Sequence, residues 1–183
     1  MCQPLFCPVE NGYNTDWIGA VKALSEISLL RGSRSVVLGS GGAAKAIAFG
    51  LKESGSDVVV YNRSIDKAQN LVTELGVKLG GSLQEFKTTR GFDIIVNATS
   101  VGFRGTESPV DANVFDHTTL VMDAVFIPVE TTFLKYARDA GCRVINGTKM
   151  FLYQACEQVE IYTGCKAPID TMEQIINQEL QFA

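Results

Sequence analysis

Residues 35–46 constrain this chain more than any other stretch. A compact β-branched run, Ser35-Val36-Val37-Leu38, leads straight into Gly39-Ser40-Gly41-Gly42-Ala43-Ala44-Lys45-Ala46. The pattern fits G-x-G-x-x-G/A, with Gly39, Gly41 and Ala44 at its three defining positions. Gly39 permits a tight turn, Gly41 lets backbone approach a pyrophosphate, and Ala44 lets the following helix pack close to the sheet. The N-terminus of that helix offers free N–H groups and a positive dipole end to phosphates. A glycine pattern alone also suits an ordinary structural turn. Here a strand precedes it, an Ala-rich helical stretch from Gly42 to about Glu53 follows, and Gly55 closes the helix. A second apolar strand, Val58-Val59-Val60-Tyr61, then arrives where a βαβ unit requires it.

The alternation extends in both directions. Trp17, Val21, Leu24 and Ile27 follow helical spacing, which predicts an amphipathic helix from Asp16 to about Leu29. Ser64 can cap a helix with Ala68, Leu71, Val72 and Leu75 on one face. Asp93–Asn97, Leu120–Asp123 and Arg143–Ile145 read as strands, and 130–140, 148–162 and 169–180 as helices. Short apolar strands alternating with amphipathic helices predict an α/β fold, a Rossmann-like doubly wound parallel sheet with helices on both faces.

Candidate binding groups cluster where strands end. An NAD-specific site would place Asp or Glu about 20 residues past the glycine loop, on the ribose 2′-hydroxyl. This chain has Asn62-Arg63-Ser64 there, with Lys67 one turn later. Arg63 could clasp a 2′-phosphate with its planar donors, whereas a carboxylate would repel it, so NADP is expected rather than NAD. Asn97-Ala98-Thr99-Ser100 ends another strand, at the edge where open α/β sheets bind ligands, and Asp123 closes the next. Gly147, Met150 and Gln154 share one helix face, and Asn14-Thr15-Asp16 reads from its residues as a helix cap. Tyr13, Tyr153 and His117 have no constellation around them and read as structural.

Composition narrows the partners. The 183 residues carry a net charge of −4, and the pI near 5.0 argues against nucleic acid or an anionic membrane. No apolar run is long enough to cross a bilayer, and Met1–Glu10 lacks the basic n-region of a signal peptide. Five cysteines and one histidine provide no zinc-ligand spacing, so reduced thiols, no metal and a cytoplasmic setting are expected.

Taken in order, these pieces resemble the shikimate/quinate dehydrogenase family. The carrying residues are Tyr13-Asn14-Thr15-Asp16-Trp17-Ile18-Gly19, the loop Gly39–Ala46, Asn62-Arg63-Ser64, Asn97-Ala98-Thr99-Ser100-Val101-Gly102, the Gly147…Met150…Gln154-Ala155 segment and Tyr162-Thr163-Gly164. The resemblance implies NADP-linked, reversible reduction of 3-dehydroshikimate to shikimate. Asp16 would be the catalytic, substrate-binding aspartate, paired in the family with a lysine, and Gln154 would touch the substrate. Gly39, Ser40, Gly41, Gly42, Ala43, Asn62, Arg63, Ser64, Lys67, Asn97, Thr99 and Ser100 would hold the cofactor, with Gly147 and Met150 on its nicotinamide side. Family members carry an N-terminal substrate domain that includes the lysine. Residues 1–15 are accordingly expected to be a remnant of the interdomain connection, with the substrate domain missing. Residues 16–183 would form the NADP-binding domain, its C-terminal helices packing toward that lobe. Phe126 stands where the family usually has a substrate-contacting tyrosine, and Lys149 where a glycine is common. The alternatives are an inactive NADP-binding or interaction module, or a dehydrogenase of quinate-type preference. A homodimer or association with a substrate domain would cover the apolar surface left exposed.

Overall fold

Six parallel strands lie side by side in the order β3-β2-β1-β4-β5-β6 in the computed structural model, which describes residues 12–180. Residues 1–11, with Cys2, Cys7 and most of the expected interdomain remnant, lie outside the described residues, as do 181–183. The strands are β1 (Arg34–Leu38), β2 (Asp57–Tyr61), β3 (Lys78–Gly81), β4 (Ile94–Asn97), β5 (Leu120–Asp123) and β6 (Arg143–Ile145). The helices are α1 (Asp16–Ser25), α2 (Gly42–Glu53), α3 (Ile65–Leu75), α4 (Thr132–Asp139), α5 (Gly147–Thr163) and α6 (Ile169–Leu180). This is the doubly wound α/β architecture that the alternation predicts.

Side chains of successive strand residues point to opposite faces, and both faces here are apolar. Val37, Ile94, Val96, Leu120 and Met122 join one core, with Leu24 of α1, Ile47 and Leu51 of α2, Leu71 of α3 and Met150 of α5. Val36, Leu38, Ile95 and Val121 join the other, with Phe133, Leu134 and Ala137 of α4 and with Phe86, Val110 and Val114 from loops. Each fully buried Val, Leu or Phe contributes about 1.5–3 kcal/mol, so two-sided burial holds this sheet more than strand propensity does. Register then aligns the strand ends. Leu38 pairs with Tyr61 and Asn97, and Asn97 with Asp123, so four loops leave from one edge.

Three local features differ from the sequence reading. α1 stops at Ser25 rather than near Leu29, where the Ile27 amide bonds the Leu24 carbonyl only three residues back and tightens the last turn; Leu29 is left 80% exposed. α4 begins at Thr132, after Thr131 accepts the Leu134 amide at its N-cap. Most of all, the sequence reading places no strand between Leu75 and Asp93, yet β3 lies there. Lys78-Leu79-Gly80-Gly81 has one apolar side chain, and Gly80 is small because a Cβ there would fall 2.2 Å from the Tyr61 ring of β2. Ser64 occupies the N-cap of α3, but its side chain makes no capping bond.

Candidate functional site

The loops after β1, β2 and β4 enclose a cleft of about 490 Å³ at the carboxyl edge of the sheet. Gly39, Ser40 and Gly41 form its floor; Asn62, Arg63, Ser64 and Lys67 form one side; Ala98, Thr99, Ser100 and Val101 form another. Gly39 has φ +118°, and a Cβ there would lie 2.8 Å from the Ala98 carbonyl oxygen. The absent side chain therefore lets two loops meet. Around Gly41 and Gly42 nothing lies within 4 Å of where a Cβ would project, so backbone there stays approachable. Gly41 at the N-cap supplies no side-chain cap to α2, leaving that positive helix end available to an anion. Ala44 is fully buried behind it.

Charge in the cleft is one-sided. Arg63 and Lys67 are its cationic wall, both are exposed, and neither has a carboxylate within ion-pair distance among the described residues. Lys45, in the glycine loop's own motif, is instead tied to Glu74 of α3 at 2.5 Å. Asn62 donates from Nδ2 to the Ser64 carbonyl at 2.8 Å, which closes the turn carrying Arg63. The donor set thus fits a dinucleotide bearing a further phosphate: open backbone for the pyrophosphate, two unpaired cations at the ribose end.

Asn97 and Thr99 brace the third wall. Asn97 is completely buried; its Oδ1 accepts the Thr99 amide at 3.0 Å and the Thr99 hydroxyl at 2.7 Å. Its Nδ2 donates to Asp123 Oδ1 at 2.9 Å and to the Val101 carbonyl at 3.2 Å. Asp123 is also fully buried, and its carboxylate accepts from the Val125 amide at 2.9 Å and the Thr131 hydroxyl at 2.6 Å. Burial raises its carboxyl to about 6, against the lowering effect of those hydrogen bonds from Thr131, Val125 and Asn97.

Asp16 and Gln154 lie on a different pair of elements. Asp16 opens α1, its amide bonded to Asn14 Oδ1 at 2.9 Å, and Thr15 rather than Asn14 holds the N-cap position. The first turn of α1 packs against the middle of α5: a Cβ on Gly19 would lie 2.6 Å from the Met150 carbonyl and 2.9 Å from the Gln154 nitrogen. Gln158 donates to Thr15 Oγ1 at 3.1 Å, and Lys22 pairs with Glu157 at 2.8 Å. Asp16 and Gln154 are both half-buried, and no ion pair engages Asp16 among the described residues.

Several residues sit elsewhere than the cleft wall. Met150 is 6% exposed, in the core beneath α5. Gly147 lies against the Val125 carbonyl, where a Cβ would come within 2.4 Å. Lys149 turns to Glu173 at 3.0 Å and Glu26 at 3.8 Å. Phe126 stacks on Phe151, centroids 5.3 Å apart and planes 14° off parallel. Tyr13 and His117 are exposed, and Tyr153 bonds Glu26. Sequence reasoning missed the roles of Gln158 and Asp123, both of which act through partners distant in sequence. A further depression, lined by Ser25–Arg31 and Ser54, shares no residue with the cleft. Among the described residues no helix is long and apolar enough to cross a membrane, no group of three or more His, Cys, Asp or Glu could hold a metal ion, and Cys142, Cys156 and Cys165 are free thiols.

Comparison with known proteins matches the same segments. Residues 21–105 match the family model described as shikimate/quinate 5-dehydrogenase, and residues 147–176 the shikimate 5′-dehydrogenase C-terminal domain. A shikimate dehydrogenase (NADP+) of Haloarcula marismortui is 39% identical over 170 residues, covering 92% of this chain and 64% of that relative. The shikimate 5-dehydrogenase of Thermus thermophilus, solved with NADP(H) and shikimate, superposes with a TM-score of 0.83 at 33% identity, over 91% of this chain and 63% of the other. A ligand-free 5-ketofructose reductase of Gluconobacter sp. gives 0.84 at 31% identity, over 91% and 64%. The chain thus spans a little under two thirds of the length of each. With two family models matched in order and the cleft formed by the same motifs, the chain belongs to the shikimate/quinate dehydrogenase family.

Proposed function

We propose that this chain is the nucleotide-binding part of an NADP-dependent shikimate dehydrogenase, which reversibly reduces 3-dehydroshikimate to shikimate. The observation that carries the reading is the pair of cations, Arg63 and Lys67, without a carboxylate partner among the described residues, beside the open glycine loop. Gly39–Ala43 would hold the pyrophosphate by backbone N–H groups and the α2 dipole. Arg63 and Lys67, with Asn62 and Ser64, would hold the 2′-phosphate, and Thr99 and Ser100 the facing side. Bound NADP(H) supplies or accepts the hydride.

This chain's own part in the chemistry falls to Asp16. Reduction of a ketone leaves an alkoxide that needs a proton as the hydride arrives, so a group within hydrogen-bond reach must hold the hydroxyl. Asp16 orients that hydroxyl together with a lysine from the family's substrate lobe, and Gln154 donates or accepts a further bond. The α1–α5 face carrying both residues is proposed to meet that lobe, in a cytoplasmic enzyme. Titration of the purified chain with NADPH and NADH tests the cofactor assignment. NADPH should bind at least about tenfold tighter, and Arg63→Ala should erase most of that preference; equal affinities in the parent chain would sink it.

A second reading is a reductase of another polyhydroxylated ketone, quinate-type included. Phe126 supports it, because a ring stacked on Phe151 offers no hydroxyl to a substrate, and a protein named for reduction of another ketone, the 5-ketofructose reductase, shares the fold. Assaying the protein joined to a substrate lobe against shikimate, quinate and 5-ketofructose separates the two. Turnover of none of them, with NADPH binding intact, would instead favour an inactive binding module.

A further inference from the structure

We propose that Asp123 is a positioning residue for the cofactor cleft, acting through Asn97 to set the conformation of the Ala98–Val101 loop. The inference deepens the cofactor reading above and rests on it. Asp123 is 0% exposed and does not line the cleft, so it can act only through its neighbours. Its Oδ1 faces the Val125 N–H at 2.9 Å. A backbone N–H cannot become an acceptor, so the atom opposite must be one. The same oxygen receives Asn97 Nδ2.

That contact decides which way Asn97 points. An amide has one donating and one accepting end. With Nδ2 committed to Asp123 and the Val101 carbonyl, Oδ1 must face the loop, where it collects both the amide and the hydroxyl of Thr99. Thr99 Oγ1 in turn accepts the Val101 amide at 3.1 Å. The relay runs from β5 to β4 to the cleft wall. A reversed Asn97 would set its NH2 against the Thr99 N–H, and a hydrocarbon at 123 would leave buried donors short of an acceptor.

What the relay requires at position 123 is an acceptor oxygen toward Asn97 and Val125, not a negative charge. Asparagine can present its oxygen there and its NH2 to Thr131 Oγ1, whose hydroxyl is free to turn. Leucine can do neither.

The test compares Asp123→Asn and Asp123→Leu by residue-resolved amide hydrogen exchange on the ligand-free chain and by NADPH titration. In the leucine variant, exchange at Thr99 and Val101 should accelerate at least about tenfold more than at Val36–Leu38, and the Kd for NADPH should rise about tenfold or more. The asparagine variant should keep both within about twofold of the parent. Equal acceleration in the loop and in β1 would make Asp123 a general stabiliser and overturn the proposal, as would loop-specific loosening in the asparagine variant. Should the leucine variant fail to fold, Thr99→Val breaks the last link from outside the core and must loosen Val101 alone; an unchanged Val101 overturns the proposal equally. A parent chain that binds no NADPH refutes the cofactor reading, while the exchange measurements still decide whether Asp123 sets the loop.

Discussion

The cleft and the α1–α5 face are put together on different principles. The cleft comes from the turns after three neighbouring strands, β2, β1 and β4, and much of its lining is backbone: glycines at the floor, an uncapped helix end, a loop braced from behind. The α1–α5 face comes from two helices about 140 residues apart in sequence, held by a close approach at Gly19 and by the Gln158–Thr15 and Lys22–Glu157 contacts. Its proposed working groups are single side chains, Asp16 and Gln154. A pyrophosphate offers the same charged oxygens in every dinucleotide, so local backbone suffices to hold it. A substrate with several stereospecific hydroxyls needs side chains gathered from distant segments.

If the two regions are that separate, each should break alone. The largest effect is expected from Gly39→Val, which meets both a left-handed φ and the Ala98 carbonyl. It should cost about 3–4 kcal/mol in urea unfolding and abolish NADPH binding. In whatever fraction folds, side-chain NMR signals of α1 and α5 should keep their positions.

Next comes a pH effect that belongs to the cleft end. Asp123 has a carboxyl raised by burial to about 6, whereas in the unfolded chain it titrates near 3.9. The folded state therefore holds the extra proton between these values, and its stability falls as pH rises through that window. By pH 7 the loss relative to pH 3.5 amounts to about 3 kcal/mol. Asp123→Asn removes the titration, so the stability difference between parent and variant, followed by denaturation across pH 3.5–7, should shift by that amount in the variant's favour. A flat difference would show that the buried carboxylate is not penalised.

The smallest effect is expected at the other end. Gly19→Ala puts a methyl against the Met150 carbonyl and the Gln154 nitrogen, forcing α1 and α5 apart at a cost of about 1–3 kcal/mol. NADPH affinity should stay within about twofold. A loss as large as that of Gly39→Val would show that the two regions are one cooperative site.

The same division explains what could be read from the chain alone. Motifs local in sequence were legible, because each physical requirement falls within a few residues: the β1–Gly39–α2 unit, the Arg63 and Lys67 neighbourhood, and the bounds of β6 and α6. β3 was not legible, since its identity depends on the Tyr61 ring lying over Gly80, a contact across strands. Asp123 stood out only as a strand-closing residue. Its role emerges when β4 and β5 pair in register, placing Asn97 beside it across 26 positions. The bond from Gln158 to Thr15 likewise exists only once α5 meets α1. The premature end of α1 has a similar origin: Ile27 keeps helical spacing, but its amide turns back to Leu24.

The Lys45–Glu74 pair has a consequence for how a ligand arrives. By neutralising the one cation of the glycine loop, it would leave the proposed capture of a multiply charged dinucleotide to Arg63 and Lys67, on a chain whose net charge is −4. The attraction is thus a small positive mouth in a repelling surround, felt over roughly the 8 Å Debye length of physiological salt. Added salt weakens the mouth and quiets the surround together, so ionic strength should move the association rate less than an all-basic groove would suffer. Release, governed by contacts already made at the floor, should respond less still.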